Sequence, residues 1–306
     1  MTDSASQPTS EGRHPTLREV VETAHDLWPS ELAESWDASG LVLGRDESEV
    51  SRILCAVDAV QATAEEAVQV GAQLLLTHHP LLLRGANFLP ASSDKGAVVH
   101  TLVEHRVALL AAHTNADAAV DGVSDALIEA CGVSDQRPLG AANADQRTGI
   151  GRVGELAEPM TLEQLAQRLV GKMLPTAAGV RVAGPREASV RRIAVCGGAG
   201  DSLFDQVRAA GAEVYVTADL RHHPASEARE RALLAGGTPY LIDCSHFASE
   251  QLWLQRGAQA LQERLAERGL MVETVLSRLN TDPWDFIVTP TSHPGSASTD
   301  CEQARC

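Results

Sequence analysis

Residues 74–80 read Leu74-Leu75-Leu76-Thr77-His78-His79-Pro80. The apolar run is too short for a helix. Its unbroken apolar character suits a strand covered on both faces, as in a parallel or mixed sheet. Two adjacent imidazoles end it. In open α/β sheets, ligands bind beyond the carboxyl ends of the strands. Neighbouring strand residues point to opposite faces, but that rule relaxes where a strand gives way to a loop. Pro80 stiffens the exit and holds His79 extended. Two such neighbours can reach two metal ions side by side, or one ion from two directions. Taken alone, a surface turn that holds two histidines explains the stretch as well.

Working outward, comparable short runs occur at Ile53–Val57, Val107–Ala111, Ile193–Cys196, Val214–Thr217 and Tyr240–Asp243. Helical patterns separate them: Thr16–Leu27, Thr63–Gln69, Gly96–His105, Asp121–Cys131, Leu162–Met173, Ser202–Ala210, Ala225–Leu234 and Gln251–Arg268. Thr161 with Gln164 three residues on has the form of a capping box. This alternation predicts an α/β architecture. Polar, Ser- and Pro-rich ends, residues 1–14 and 279–306, lack the apolar area to offset chain entropy and are expected to be disordered. Residues 134–150 are polar and Gly-containing, a seam between two subdomains.

The chain has 306 residues, a hydrophobic content of 44% and only 3% aromatics, so its core must rest on Ala, Val, Leu and Ile. A formal net charge of −16 repels phosphate backbones and anionic lipid, which argues against nucleic-acid and membrane partners. No apolar stretch reaches the roughly 18–20 residues that span a bilayer. The polar N-terminus lacks the apolar core of a signal peptide, so a cytoplasmic protein is expected. Six scattered cysteines without a C-x-x-C read as small buried hydrophobes or inert thiols.

Six of the eleven histidines lie at or just past a strand run: His78, His79, His113, His222, His223 and His246. After the run at 107–111 comes His113-Thr114-Asn115-Ala116-Asp117, which offers Asp117 as an oxygen ligand and His113 as an acid–base group. Turn and capping roles account for Asn115 and Asp117 equally well. Asp121 and Asp125 read as a cap and a helix-surface charge. After the run at 240–243 comes Cys244-Ser245-His246, with Glu250 four residues beyond His246. If these open a helix, the two share a face and match the donors that Zn, Fe or Mn accept. A second His-His-Pro, at His222–Pro224, follows Asp219 and Arg221. Gly197–Gly200 opens a helix and could hold an anion, or be a plain tight turn.

These segments, in this order, are together similar to the Nif-three-like dinuclear-metal family, often labelled GTP cyclohydrolase I type 2. The matching pieces are Glu34–Leu41 with Gly44, Leu76–Pro80, His113–Asp117 with Gly122–Leu127, Thr217–His223 and Asp243–Glu250. Ala218, Ser39 and the Cys244-Ser245 pair depart from the family's usual residues, and none removes a ligand. Cys244 would make for a softer or redox-sensitive site. The resemblance implies a fold of two interlocked α/β subdomains with mixed sheets: residues 15–133 plus 238–278, and residues 145–237. It implies two divalent metal ions (Zn, Fe or Mn) held by His78, His79, Asp117, His246 and Glu250, and assembly into a hexamer. The chemistry expected is hydrolysis of a small molecule, a nucleotide or phosphoester, by a metal-bridged hydroxide. His113 or His223 would carry the proton, Asp219 would orient a histidine, and Arg221 would meet a phosphate. The alternative is a non-catalytic scaffold, a metal-trafficking or a regulatory protein.

Overall fold

The fold is α/β, with two mixed sheets. In the computed structural model, residues 12–140 and 147–289 are described. The chain divides into two compact units. Among the described residues, one comprises 12–115 with 254–279; the other comprises 116–140, 147–253 and 280–289. Residues 116–133 and 238–253, grouped with the first subdomain in the sequence reading, thus lie in the second unit.

The first unit holds α1 (Leu17–Leu27), β1 (Gly40–Leu43), β2 (Arg52–Ala56), α2 (Gln61–Gln69), β3 (Leu74–Thr77), α3 (Asp94–Glu104), β4 (Ala108–Ala111) and β11 (Glu273–Leu276). Strand order is β1-β4-β3-β2-β11. β1 is antiparallel to β4, and the other pairs are parallel. Leu54, Leu75 and Leu109 are direct neighbours across β2, β3 and β4. They pack in one cluster with Ala64 and Ala67 of α2 and Val98 and Leu102 of α3. Each fully buried leucine contributes about 1.5–3 kcal/mol. The aromatic-poor core is therefore built as its composition requires.

The second unit holds α5 (Val123–Cys131), β5 (Val133–Pro138), β6 (Arg152–Thr161), α6 (Leu162–Val170), β7 (Arg181–Ala183), β8 (Ser189–Ala199), α7 (Phe204–Ala209), β9 (Val214–Ala218), α8 (His222–Leu234) and β10 (Tyr240–Cys244). The short α4 (Thr114–Ala118) and the long α9 (His246–Glu267) each contribute residues to both units. Order is β5-β6-β8-β9-β10-β7, with β8, β9 and β10 parallel and the rest antiparallel. Alternation along the central strands feeds two cores. Val195, Val216, Ile242 and Cys244 meet Leu127 and Leu165, while Ala194, Cys196, Tyr215 and Leu241 meet Phe204, Val207 and Ala228.

The six strand runs and eight helical patterns all form elements. The Thr161 capping box is present, with Gln164 N donating to Thr161 Oγ1 at 3.2 Å and Thr161 N to Gln164 Oε1 at 2.9 Å. Four helices start earlier than expected, α2 and α3 by two residues each and α8 and α9 by more. α8 begins at His222 because Pro224 sits in its first turn, where an absent N–H costs nothing. α9 begins at His246, which settles that His246 and Glu250 share a helix.

Three expectations are corrected. The chain is ordered before residue 15: Arg13 pairs with Glu19, and its carbonyl accepts Met271 N at 2.9 Å. It is also tied down beyond 279, where Asn280 Nδ2 donates to Pro175 O at 3.1 Å and Ser245 Oγ donates to Asp282. The rest of the tails expected to be disordered, residues 1–11 and 290–306, lies outside the described residues, as do Cys301 and Cys306. Finally, Asp125 is no surface charge. It is buried on Arg152, which donates to its two oxygens at 2.7 and 2.8 Å. The same guanidinium, only 2% exposed, donates to the carbonyls of Ala119, Gly149 and Gly151. An arginine so buried needs every donor matched.

Candidate metal-binding site

Register places the first group of side chains. Ala56, Thr77 and Ala111 are level across β2, β3 and β4. Residues two beyond each strand end are therefore level as well: Asp58, His79 and His113. The ladder continues past the strands, with His78 N donating to Ala56 O at 3.1 Å and His79 N to Val57 O at 2.8 Å. The rings of His78, His79 and His113 stand 5.1 to 5.6 Å apart, centroid to centroid. One nitrogen from each lies within 4.8 Å of the others, close enough to share a cation.

Each ring is held by its Nδ1. That of His78 faces the Ala112 carbonyl at 2.8 Å, that of His79 Asp58 Oδ1 at 2.7 Å, and that of His113 Asp37 Oδ1 at 2.7 Å. An oxygen acceptor at Nδ1 fixes the proton there and leaves Nε2 as the basic nitrogen, as metal-binding histidines require. Asp37 also accepts from Ser39 Oγ at 2.6 Å and Thr114 N at 3.0 Å. Burial alone would raise its pKa, but the His113, Ser39 and Thr114 hydrogen bonds outweigh burial and hold it well below the usual carboxylate range.

The second group belongs to the six-stranded unit. β9 ends at Ala218, level with Cys244 of β10. Asp219 and His246 follow them. Asp219 adopts a left-handed backbone, φ +53°, and its Oδ2 lies 2.7 Å from His246 Nδ1. On the other side, His246 Nε2 lies 2.9 Å from Glu250 Oε1, one helical turn along α9. Burial opposes a charged ring here, but Glu250 and Asp219 overcome it and push His246 up to about 11. A carboxylate pair that stabilises a positive ring would equally welcome a metal cation. Glu250 is buried, and Ser249 Oγ accepts from Gly198 N at 3.0 Å behind it.

Gly197 and Gly198 are expected to hold an anion or to form a tight turn. They belong to β8 instead, and their amides are spoken for, by Ser124 Oγ at 3.3 Å and Ser249 Oγ at 3.0 Å. A Cβ on Gly198 would come 2.4 Å from Glu250 Oε1 and 3.0 Å from His246 Nε2, so only glycine leaves room there. Asp117 lies in α4, half-buried. Its charge and that of Glu250 both add to the burial that raises the Cys196 thiol. Arg221, expected to meet a phosphate, pairs with Asp201, Nε to Oδ2 at 2.8 Å. His223 is exposed in the first turn of α8, its ring 5.2 Å from that of His222. Cys244 turns into the apolar core, and burial with the Asp243 charge pushes it up to about 12. That is an inert thiol, not a redox-sensitive one.

Sequence reading gave no role to Asp58 or Asp37, the two carboxylates that orient His79 and His113. Their signal was position. Asp58 directly follows the run Ile53–Val57, and Asp37 belongs to the motif Glu34–Leu41.

Fold and side chains together define an α/β protein with His and carboxylate groups that could hold a metal ion. The Duf34/NIF3 (NGG1p interacting factor 3) profile matches residues 15–283, and the chain belongs to that family. A Streptomyces coelicolor relative called "GTP cyclohydrolase 1 type 2 homolog" is 50% identical over 287 residues, 93% of this chain and 97% of its own. Among solved structures, a Bacillus cereus protein related to NIF3 has a TM-score of 0.80 at 24% identity, covering 90% of this chain and 100% of its own. A Staphylococcus aureus hypothetical protein has a TM-score of 0.79 at 27% identity, covering 89% and 100%.

Proposed function

We propose that the chain is a metal-dependent hydrolase of a small molecule, with two divalent cations held by His78, His79, Asp117, His246 and Glu250. The observation that carries the reading is the shared arrangement of the imidazoles. Each of His78, His79, His113 and His246 has Nδ1 against an oxygen, which presents Nε2 for coordination. Imidazole with carboxylate suits Zn, Fe and Mn. When bound, such ions supply Lewis acidity toward a phosphoryl or ring-carbon centre and acidify water.

The protein's own groups then do the rest. Asp58 and Asp219 fix the rings of His79 and His246. His113 carries a proton at Nε2, kept in one tautomer by Asp37, with His223 as the more exposed alternative carrier. The relatives' name supports a nucleotide as substrate, with simple phosphoesters in the same chemical class. A homo-hexamer is the assembly proposed, and native mass tests it.

Metal analysis of the purified protein beside His78→Ala and Glu250→Ala, with turnover of GTP and simple phosphoesters, tests the whole. Metal in the parent and loss in both variants is the expected result. A parent that takes up no transition metal overturns the metal reading. A loaded parent that turns over none of these substrates overturns the hydrolase.

A further inference from the structure

A pocket of about 340 Å³ opens in the six-stranded unit. Its apolar walls include Leu220, Ala225 and Leu241, and its polar rim is formed by Arg181, His222 and Arg229 beside Asp243. That volume lies at the lower end of small-molecule sites, which run about 300–1,000 Å³. It suits a single ring with a substituent.

The charges in it are fixed in place. Asp243 is nearly buried, and both its oxygens are engaged. Oδ1 accepts Leu220 N at 2.9 Å, and Oδ2 accepts Arg181 Nε at 2.8 Å. Arg181 is thus tied to Asp243 through Nε and Nη2, and its Nη1 has no protein partner among the described residues. Arg229 donates Nη1 to the carbonyls of Gly237 and Pro239 at 3.1 and 3.0 Å, and its guanidinium stacks over Tyr240, 5.5 Å from the ring centre. Arg181 and Arg229 bring two guanidiniums to the rim, where Asp243 pairs with the first and the Asp219 charge also lies within its reach. The chain as a whole carries −16, so an anion drawn here is drawn by this pocket and not by the general field. A preorganised guanidinium pays little further ordering cost on binding. The first turn of α8, which contributes His222, Ala225 and Ser226, contains no acidic residue and adds to the same sign.

We propose that this pocket binds a small organic anion: a planar or apolar body carrying one phosphate, sulfonate or carboxylate that meets Arg181. The site stands apart from the metal reading, since its walls contain none of the proposed ligands.

The test uses the full chain and a probe that coordinates metals poorly. Binding of benzenesulfonate is measured by calorimetry against the neutral methyl phenyl sulfone, in the parent, in Arg181→Gln and in Val182→Trp. The tryptophan fills the mouth from the exposed edge strand and alters no charged group. The sulfonate should bind and the sulfone should bind markedly less. Charged hydrogen bonds of this type imply a loss of about tenfold or more in Arg181→Gln, and Val182→Trp should abolish binding. Equal binding of the two probes overturns the anion assignment. Unchanged binding in both variants overturns the location, and no binding of the sulfonate by the parent overturns the site. Metal content is not part of the readout, so failure here and failure of the hydrolase reading are separable.

Discussion

The two histidine groups use the same construction for different electrostatic ends. In both, parallel strands finish level, the next residues carry imidazole or carboxylate, and an oxygen fixes each Nδ1. The group at β2, β3 and β4 gathers three rings, with Asp58 and Asp37 as supports for two of them. The group at β9 and β10 sets a single ring between two carboxylates. The first offers ring nitrogens. The second offers the negative charge of Asp219 and Glu250 on either side of one ring. Register thus decides where donors meet, and the residue after the strand decides what they attract.

The units that carry these groups should also fail differently. The largest effect expected is from Asp125→Ala, which leaves the buried Arg152 without its carboxylate and costs about 3–5 kcal/mol. Chemical denaturation measures the loss, and hydrogen exchange should show it in β6 and α5 ahead of β2 and β3. An unchanged midpoint would mean that Arg152 finds water instead.

Next come the donors. Glu250→Ala and His78→Ala should each lower metal affinity by more than the roughly 10–100-fold typical of outer partners. If either variant empties both ions, the groups act as one centre. If each empties only its own, the contrast drawn above divides two separate sites.

A smaller step is expected from the supports. Asp58→Asn and Asp219→Asn should weaken metal binding by about 10–100-fold, and only the latter should lower the pKa of His246, followed by its ring proton resonances. Equal effects on His246 would erase the distinction between the groups.

The smallest effects lie outside both. Thr16→Ala removes the N-cap of α1 and should cost about 1 kcal/mol. Glu19 closes that capping box, and the Arg13 guanidinium with the Thr16 amide holds it down to about 2. A carboxylate lowered on folding stabilises above its ordinary value of 4.5, and that contribution is lost as pH falls toward 2. Glu19→Gln should flatten the acid limb of stability over that window, and an unchanged limb would assign the acid sensitivity to other carboxylates.

Much of this could be read before any coordinates. The run ending in His78-His79 announced a covered strand with ligands at its exit, and the spacing of His246 and Glu250 announced a helix face. Strands β1, β5, β6, β7 and β11 could not be read that way. β6 contains Gly154, Pro159 and three charged residues, and its pairing shifts register between Glu155 and Met160. Such a strand is set by its neighbours and not by its own propensity. Nor could the burial of Arg152, or the support of His79 by Asp58, be found locally. Both arise from pairing across the fold, which a linear reading does not contain.

Gly198 gives the experimentalist a stopper. One added methyl, on a backbone at φ +64° that disfavours any side chain, would force the Glu250 carboxylate or the strand itself to shift while removing no donor atom and no charge. A Gly198→Ala chain is therefore a useful blank for any assay of metal-dependent turnover, because it displaces the donors without deleting one.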